Sequence, residues 1–282
     1  MMKARVAGLP ALLFVLTAAQ WLVCPVSRGE EQDWMTSLSI GYSTGTYGTD
    51  SPTSILSVPM TIRRLFADGD LSLTVPFVSV TGDCRVTLVN GLPNRTGGTC
   101  PRRTVTILGR SRTFTLPAVV NNQGLGDIVL QGRYYVLEED ELAPMVAITA
   151  RVKFPTANNE IGLGTGEFDE GGGIEMSKEI LPDWLVFADA GFTVIGQPEG
   201  VTLRNQWIYD LGLGYYVTDA FFVSVSYEEW RAIISGLPNP RDVLVGANYR
   251  VASAFRVNVS TTVGLSDGAP DYGLTGGVSI RF

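Results

Sequence analysis

Apolar and polar residues alternate with a period of two along most of the chain. The pattern is clearest from Tyr272 to Phe282, where one set of alternate positions is mainly apolar and the other is small or polar. The apolar set includes Tyr272, Leu274, Val278, Ile280 and Phe282. Because side chains of a strand point alternately to its two faces, the segment predicts a strand with one apolar face and one polar face.

The same alternation recurs along the chain and predicts about twelve strands. The predicted strands are residues 34–46, 54–64, 71–77, 127–137, 146–153, 174–180, 184–194, 207–217, 221–228, 243–251, 255–263 and 272–282. Residues 104–116 could form a further hairpin, which leaves the strand number open by two. Helical spacing is absent after the amino-terminal segment.

Short and long connections alternate between these strands. Turns near residues 67–70 and 181–183 are short, whereas residues 82–123 and 155–171 form long loops. This alternation, with aromatic residues near strand ends, is typical of outer-membrane barrels. We therefore predict an all-β fold: an antiparallel transmembrane outer-membrane β-barrel with short periplasmic turns and long extracellular loops.

The terminal strand has a second predicted role. A last strand that ends on Phe, here Phe282, is how outer-membrane barrels commonly end, because the barrel-assembly machinery recognises that strand. The same strand must close against the segment 34–46 so that no open edge faces lipid. The alternative, an edge strand of a soluble sandwich, gives no reason for the alternating connection lengths.

The amino-terminal segment predicts export. Lys3 and Arg5 precede an apolar run from residue 6 to 23, and small residues follow, so residues 1–29 are interpreted as a secretory signal peptide cleaved before Glu30. Cleavage after Ala19 and a transmembrane anchor are weaker alternatives. Residues 30–282 then form a single barrel domain in the outer membrane of a Gram-negative cell.

Composition narrows the function. The chain has a formal net charge of −7 and no histidine. An acidic chain without a basic stripe argues against nucleic-acid binding, and histidine-based catalytic triads and zinc sites are excluded. We expect no catalytic residue, no cofactor and no metal. The expected partners are outer-membrane lipid, the barrel-assembly machinery and a small-molecule solute.

Two cysteines remain after signal cleavage, both in the loop 82–123. Fifteen residues separate Cys84 from Cys100, and an oxidising compartment favours a disulfide between them. The loop-entropy model assigns such a bridge about 3 kcal/mol at most.

The inner faces of the predicted strands carry charges that segregate by strand. The acidic group is Glu175, Glu179, Asp189, Asp210 and Glu228, and the basic group is Arg63, Arg133, Arg151, Lys153, Arg250, Arg256 and Arg281. We hypothesise that these residues line a narrow polar pore with an acidic wall and a basic wall, which would tune ion selectivity. The alternative is that they pair across the lumen and plug it.

Three short motifs resemble a known family. They are Gly124-Leu-Gly-Asp127, Lys153-Phe-Pro-Thr156 and Gly162-Leu-Gly-Thr-Gly166. Their order and spacing resemble the outer-membrane transporter family named for the meta-pathway of phenol degradation, over roughly residues 34–282. Two departures are Ala157, where the family usually has glycine, and the cysteine loop.

The resemblance implies a channel for passive uptake or efflux of small, often aromatic or hydrophobic, compounds, and it brings no catalytic residues. The alternative is a barrel that does not transport, with a structural role or a binding role for the long cysteine-bearing loop.

Overall fold

The computed structural model describes residues 33–48, 51–84, 86–89, 92–95, 102–107, 110–115 and 119–282. The signal peptide predicted for residues 1–29, and Cys100, lie outside these ranges. Signal cleavage and the disulfide therefore stay predictions. Within the described ranges, no helix is long and apolar enough to cross a membrane.

Nearly all regular structure in these ranges is β. The strands are β1 (Trp34–Gly45), β2 (Thr53–Phe66), β3 (Gly69–Asp83), β4 (Val86–Val89), β5 (Leu92–Arg95), β6 (Arg102–Ile107), β7 (Arg110–Thr115), β8 (Val119–Leu125), β9 (Ile128–Leu137), β10 (Met145–Phe154), β11 (Asp169–Leu181), β12 (Trp184–Val194), β13 (Gln206–Thr218), β14 (Phe221–Trp230), β15 (Arg241–Arg250), β16 (Phe255–Gly264) and β17 (Tyr272–Arg281). A short 3-10 helix, Asn159–Ile161, lies in the loop between β10 and β11.

The strands form a closed antiparallel barrel. From β17 back to β9 each strand pairs with its sequence neighbour, β9 pairs with β3, and β2 joins β3 to β1. Because β8 and β9 pair with different halves of β3, they share one position in a 12-stranded wall. At the closure, the main-chain nitrogens of Trp34 and Phe282 each donate to the other residue's carbonyl oxygen, at 3.0 and 2.9 Å. The predicted closure of the last strand against the first is thus confirmed.

Two prolines inside the wall occupy positions where no ladder needs their missing N–H groups. Pro59 of β2 lies directly opposite Pro76 of β3. On the other side of β2, the ladder with β1 is interrupted for two residue pairs between Met60 and Ser57. On the other side of β3, the partner strand changes from β9 to β8 just beyond Pro76. Each proline therefore sits at a break in its second ladder, which is where a strand tolerates one.

The loop predicted for residues 82–123 is shorter and more structured than expected. β3 continues to Asp83, β8 begins at Val119, and β4–β5 and β6–β7 form two separate hairpins between them. The second hairpin covers most of residues 104–116, so that segment does not add strands to the wall. The sequence of β8 lacks apolar alternation because this part rises beyond the apolar band, where polar contacts such as Asn121 Nδ2 to Thr81 Oγ1 (2.8 Å) link the strands.

The outside of the barrel is apolar around its circumference. Exposed outward side chains include Leu38, Ile40, Leu73, Ile148, Ile174, Leu211, Val245, Val259 and Leu274. Trp184 packs against Tyr215 with 4.8 Å between ring centroids, and Tyr249 and Phe282 are exposed near the same end of the wall. An apolar band with aromatic residues at its border is the surface that a bilayer requires, so the barrel spans the outer membrane. The end with short connections, the turn end, is the periplasmic one.

Candidate functional site: the lumen of the barrel

The inner faces of the strands make a polar, tightly filled lumen. Serine, threonine, asparagine and charged side chains that alternate with the lipid-facing residues are buried, including Ser39, Ser57, Thr61, Gln131, Ser226, Asn248 and Asn258. This is the inverse of a soluble protein, in which the buried residues are mostly apolar. Any solute that crosses the barrel would pass these groups.

One part of the inner wall pairs its charges across strands. Arg133 of β9 lies between two carboxylates: its Nε is 2.9 Å from Glu175 Oε2, and its Nη1 is 3.4 Å from Asp70 Oδ2. Arg63 of β2 adds a contact of 3.5 Å from its Nε to Asp70 Oδ1. All four side chains are buried. They form a neutral network that ties β2, β3, β9 and β11 together inside the barrel.

A second buried cation is Lys153 of β10, which is 2% exposed. Its Nζ lies 2.8 Å from Asp169 Oδ2 and 3.1 Å from Asp127 Oδ2, and it contacts the Thr165 hydroxyl at 3.2 Å. We call these residues, together with the Arg63–Asp70–Arg133–Glu175 network, the charge-paired wall. Its described cations and carboxylates alternate, so little charge is left uncompensated there.

The carboxylates around Lys153 also anchor loops. Asp127 Oδ1 accepts a hydrogen bond from the Ala157 main-chain nitrogen (3.0 Å), and Asp169 Oδ1 accepts one from the Gly196 nitrogen (2.9 Å). Asp127 thus holds the loop after β10, and Asp169 holds the loop after β12. The ammonium group is the centre of this arrangement.

The three family-like motifs meet at this point. The Thr156 hydroxyl donates to the Gly126 carbonyl (3.0 Å) and accepts from the Ile128 nitrogen (2.9 Å), which links the second motif to the first. A side chain at Gly164 of the third motif would come within 3.0 Å of Asp127 and Ala157, so glycine is needed for the close approach. The motifs are therefore structural: they fold the loop 155–168 against the mouth of the barrel.

An apolar layer covers the lumen at the loop end, and we call it the apolar roof. Its members are Tyr47, Ile55, Val78, Val80, Leu88, Ala157 and Leu163 in one cluster, and Val89, Ile195, Leu203 and Ile233 in another. The Leu88 nitrogen donates to the Gly162 carbonyl at 2.9 Å, which fixes β4 to the loop 155–168. Burial raises the pKa of the Tyr47 phenol, which donates to Ser43 Oγ at 3.1 Å.

A small cavity opens in the lumen beneath the roof. Its volume is about 50 Å³, and its inner-face lining includes Gln131, Arg151, Asp189, Thr193 and Ile208. Gly173 and Gly191 face each other across β11 and β12, so no side chain projects into the lumen between them. Gly171–Gly173, which lie before the start of the strand predicted at residue 174, thus belong to β11, and Gly171 and Gly173 make room inside the wall.

Five carboxylates form a continuous row that begins in the lining of this cavity, with Glu175 and Asp189. Glu175, Asp189, Asp210, Glu228 and Asp242 come from five consecutive strands, β11 to β15, and each lies directly opposite the next. We call them the acid row. Like charges at directly opposed positions destabilise a sheet, so this alignment costs folding free energy.

Toward the turn end, aromatic side chains replace the acids on the same strands. Phe187, Phe222 and Leu185 form a buried cluster with Tyr216 packed against it. The ring of Phe222 lies over Gly214, and that of Phe187 lies over Gly212, where an added Cβ would come within about 2.2 Å of ring atoms. Glycine in β13 therefore creates the space that these rings fill.

Most residues predicted to line the lumen lie on the inner face. These are Arg63, Arg133, Arg151, Lys153, Glu175, Asp189, Asp210, Glu228 and Arg256. The others lie at the turn end: Glu179 is exposed and accepts from the Asp183 nitrogen (3.2 Å), Arg250 donates to the Asp219 carbonyl (2.7 Å), and Arg281 is half-buried. A pore-lining role for all of them stays a prediction.

Four acids of the site were missed from the sequence: Asp70, Asp127, Asp169 and Asp242. Each lies at or next to the first residue of a strand, where turn-forming residues are common. Asp70 was assigned to a turn and Asp169 to a loop, Asp242 was left out, and Asp127 was placed in a strand but not among the lining residues. Extending the inner-face alternation to the strand ends would have found them.

Within the described ranges, no group of three or more cysteine or acidic side chains could hold a metal ion.

Solved structures share this fold. An outer membrane channel from Pseudomonas putida F1 superposes with a TM-score of 0.62 at 13% identity, over 88% of this chain and 95% of that chain. The NanC porin gives a TM-score of 0.52 at 9% identity, over 88% and 100% of the two chains. The KdgM porin, in complex with disordered oligogalacturonate, gives 0.51 at 8% identity, over 87% and 99%.

These low identities establish likeness of fold and nothing finer. The sequence itself carries the assignment, since residues 68–282 match the sequence model of the family described as "Putative MetA-pathway of phenol degradation". That range includes all three motifs that meet around Lys153, and the protein belongs to this family.

Proposed function

We propose that the protein is an outer-membrane channel through which small solutes, including aromatic or hydrophobic ones, diffuse passively. The observation that carries this proposal is the interior: a lumen lined by polar and charged groups, with a glycine-backed cavity of about 50 Å³, in place of an apolar core. The proposal involves no chemical step, no catalytic residue and no cofactor.

The relatives support the solute class. The family is described by a phenol degradation pathway, and structures of similar fold are an outer membrane channel and two porins, one of them in complex with an oligogalacturonate. An aromatic solute has an apolar body and few polar groups. The apolar roof offers such a body its first contact, and the polar lumen offers hydrogen bonds beyond it.

Passage requires the roof to move, because its side chains are buried against one another. Ile55, Val78 and Val80 of the roof belong to the wall strands β2 and β3, and the other members come from the segments between wall strands. Among these segments, β4 is held to the loop 155–168 by the bond between Leu88 and Gly162. Loops of this kind open at lower free-energy cost than the barrel itself. We therefore expect brief openings and a low mean conductance.

The test is single-channel conductance and liposome swelling with the purified full-length protein, with phenol as the solute. Deleting residues 85–99 removes Leu88 and Val89 from the roof, and we expect conductance and phenol flux to rise. The non-transport alternative, in which this loop binds a partner, predicts no phenol flux in either form. That result would overturn the proposal.

A pair of arginines tests the lumen more locally. Arg256 and Arg250 lie directly opposite each other beside the turn between β15 and β16. Arg256 is buried, whereas Arg250 is half-buried and donates to the Asp219 carbonyl at 2.7 Å. Arg256→Ala should change conductance and ion selectivity, and Arg250→Ala should change them much less. Unchanged conductance and selectivity in both variants would contradict the pore-lining role.

A further inference from the structure

Glu175 is the one member of the acid row with an ion pair among the described residues. Asp189 has none, but it is half-buried and lines the cavity, whereas the other three members are both unpaired and buried. Asp210, Glu228 and Asp242, which we call the acidic trio, are 2%, 0% and 2% exposed. Glu175, at the other end of the row, is bound by Arg133. Among the described residues, no Lys or Arg nitrogen forms an ion pair with a carboxylate of the trio.

The oxygens of the trio are also short of hydrogen bonds. Both Oδ atoms of Asp210, Oε1 of Glu228 and Oδ1 of Asp242 are buried without a hydrogen-bond partner. Trp230 Nε1 donates to the second oxygen of Glu228 at 3.4 Å. Buried carboxylates ordinarily carry a cation or several donors, since leaving them unpaired is costly. Three such groups side by side are therefore difficult to explain by stability.

The same barrel contains an example of what such carboxylates hold. Around Lys153, two aspartates and a hydroxyl on neighbouring segments surround one ammonium group at 2.8–3.2 Å. The trio offers a similar set of oxygens, with Ser226 as the nearby hydroxyl on β14, but its strands supply no ammonium group. Its carboxylates stand one per strand and do not converge as metal ligands.

We propose that the acidic trio binds the cationic group of a passing solute, with an organic ammonium as the preferred ligand. An ammonium group donates several hydrogen bonds and can be handed from one carboxylate of the row to the next. Phe187, two positions from Asp189 on β12 and packed over Gly212, two positions from Asp210, is placed to contact the apolar part of an aromatic amine. The inference rests on the proposed channel function and specifies its solute class.

The first experiment compares solutes that differ mainly in charge. Phenylethylammonium, phenylethanol and phenylacetate are offered to proteoliposomes that contain the wild-type protein or the variant Asp210→Asn/Glu228→Gln/Asp242→Asn. The control is Glu138→Gln/Glu141→Gln/Glu199→Gln, which removes the same charge from exposed positions. We expect wild-type and control to pass phenylethylammonium fastest, and the trio variant to lose that preference while phenylethanol flux persists.

A reversal-potential measurement in a KCl gradient separates inorganic from organic cations. Selectivity for K⁺ over Cl⁻ that disappears in the trio variant, without any preference for phenylethylammonium, would overturn the organic-ammonium assignment. Equal flux of all three aromatic solutes through the wild-type protein would overturn the cation site and leave the channel function intact.

Binding is measured separately, so that the inference can be tested without conduction. Titration calorimetry of phenylethylammonium into the detergent-solubilised protein should give at least about tenfold weaker binding for the trio variant, because charge-assisted hydrogen bonds are lost. Heat-modifiable gel mobility confirms that each variant is folded. Equal affinity in wild-type and trio variant would overturn the site, whereas binding without flux would contradict only the channel function.

Discussion

The charge-paired wall and the acidic trio are two regions of one lumen, built by the same alternation of inward and outward side chains. Around Arg133 and Lys153, every buried carboxylate that the structure describes lies within 3.5 Å of a cationic nitrogen. On β13 to β15, three carboxylates are just as deeply buried and have no such partner. The carboxylates of the two regions are therefore equally buried, but only those of the charge-paired wall have cationic partners.

The difference separates structure from function. A compensated network of buried charges fixes the relation between strands, and removing one member leaves the others unpaired. A row of buried carboxylates without cationic partners lowers the stability of the protein, so such a row is expected where a site binds a ligand. The following variants test that division.

The largest effect is expected for Lys153→Met. It leaves Asp127 and Asp169 buried without their cation, which should lower the free energy of unfolding by about 3–5 kcal/mol. Urea unfolding in detergent, followed by gel mobility, measures the loss. The control is Lys178→Met, whose partly exposed ammonium lies 3.6 Å from Glu139 and should contribute less than about 1 kcal/mol.

A rescue tests the cause of that loss. Adding Asp127→Asn and Asp169→Asn to Lys153→Met neutralises the whole group, and most of the lost stability should return. If the triple variant is less stable than Lys153→Met alone, the carboxylates act mainly through their loop contacts and the compensation argument fails there.

An intermediate effect is expected for Arg133→Met, which should cost about 3 kcal/mol because Arg63 still compensates Asp70. The variant also extends the uncompensated row to Glu175, so the reversal potential should shift further toward cation selectivity. Arg64→Met, whose partner Asp33 lies 2.7 Å away near the surface, serves as the control and should change neither quantity much.

The smallest effect, and one of opposite sign, is expected for Asp242→Asn. It removes a like charge opposite Glu228, so stability should stay equal or rise by up to about 1 kcal/mol. The matched change Asp169→Asn in the charge-paired wall should lower stability by about 1–3 kcal/mol. Equal losses for both variants, measured by urea unfolding, would remove the distinction between the two regions.

Much of the wall could be predicted because one face of each membrane strand must be apolar. The period-two pattern located every wall strand except β8 and oriented the faces of those strands, and Arg63, Glu175, Asp210 and Glu228 were placed on the inner face for that reason. The pattern does not apply beyond the apolar band. Strand β8 and the hairpin β4–β5 were therefore missed, Gly171 was taken for the end of a loop, and Gly172 and Gly173 were left outside the strand.

The site was predicted less completely than the wall. Alternation tells which residues point inward, but it does not tell which strand segments meet in register across the sheet. Asp127 and Asp169 lie far apart in the sequence from each other and close to turns, so their shared contact with Lys153 has no local signal. The apolar roof could not be predicted from the sequence for the same reason, since Leu88, Leu163 and Ile233 come from three different loops.

The sequence by itself determined the class of fold, the closure of Phe282 against the first strand, and an interior rich in charge, because these follow from local alternation and from the demands of a bilayer. Only the tertiary structure decided which charges are compensated. Strand register places Arg133 between Asp70 and Glu175, and the same register places Asp210, Glu228 and Asp242 beside one another. Pairing across strands is a long-range property, because a shift of one residue in the register of a strand would change every cross-strand partner.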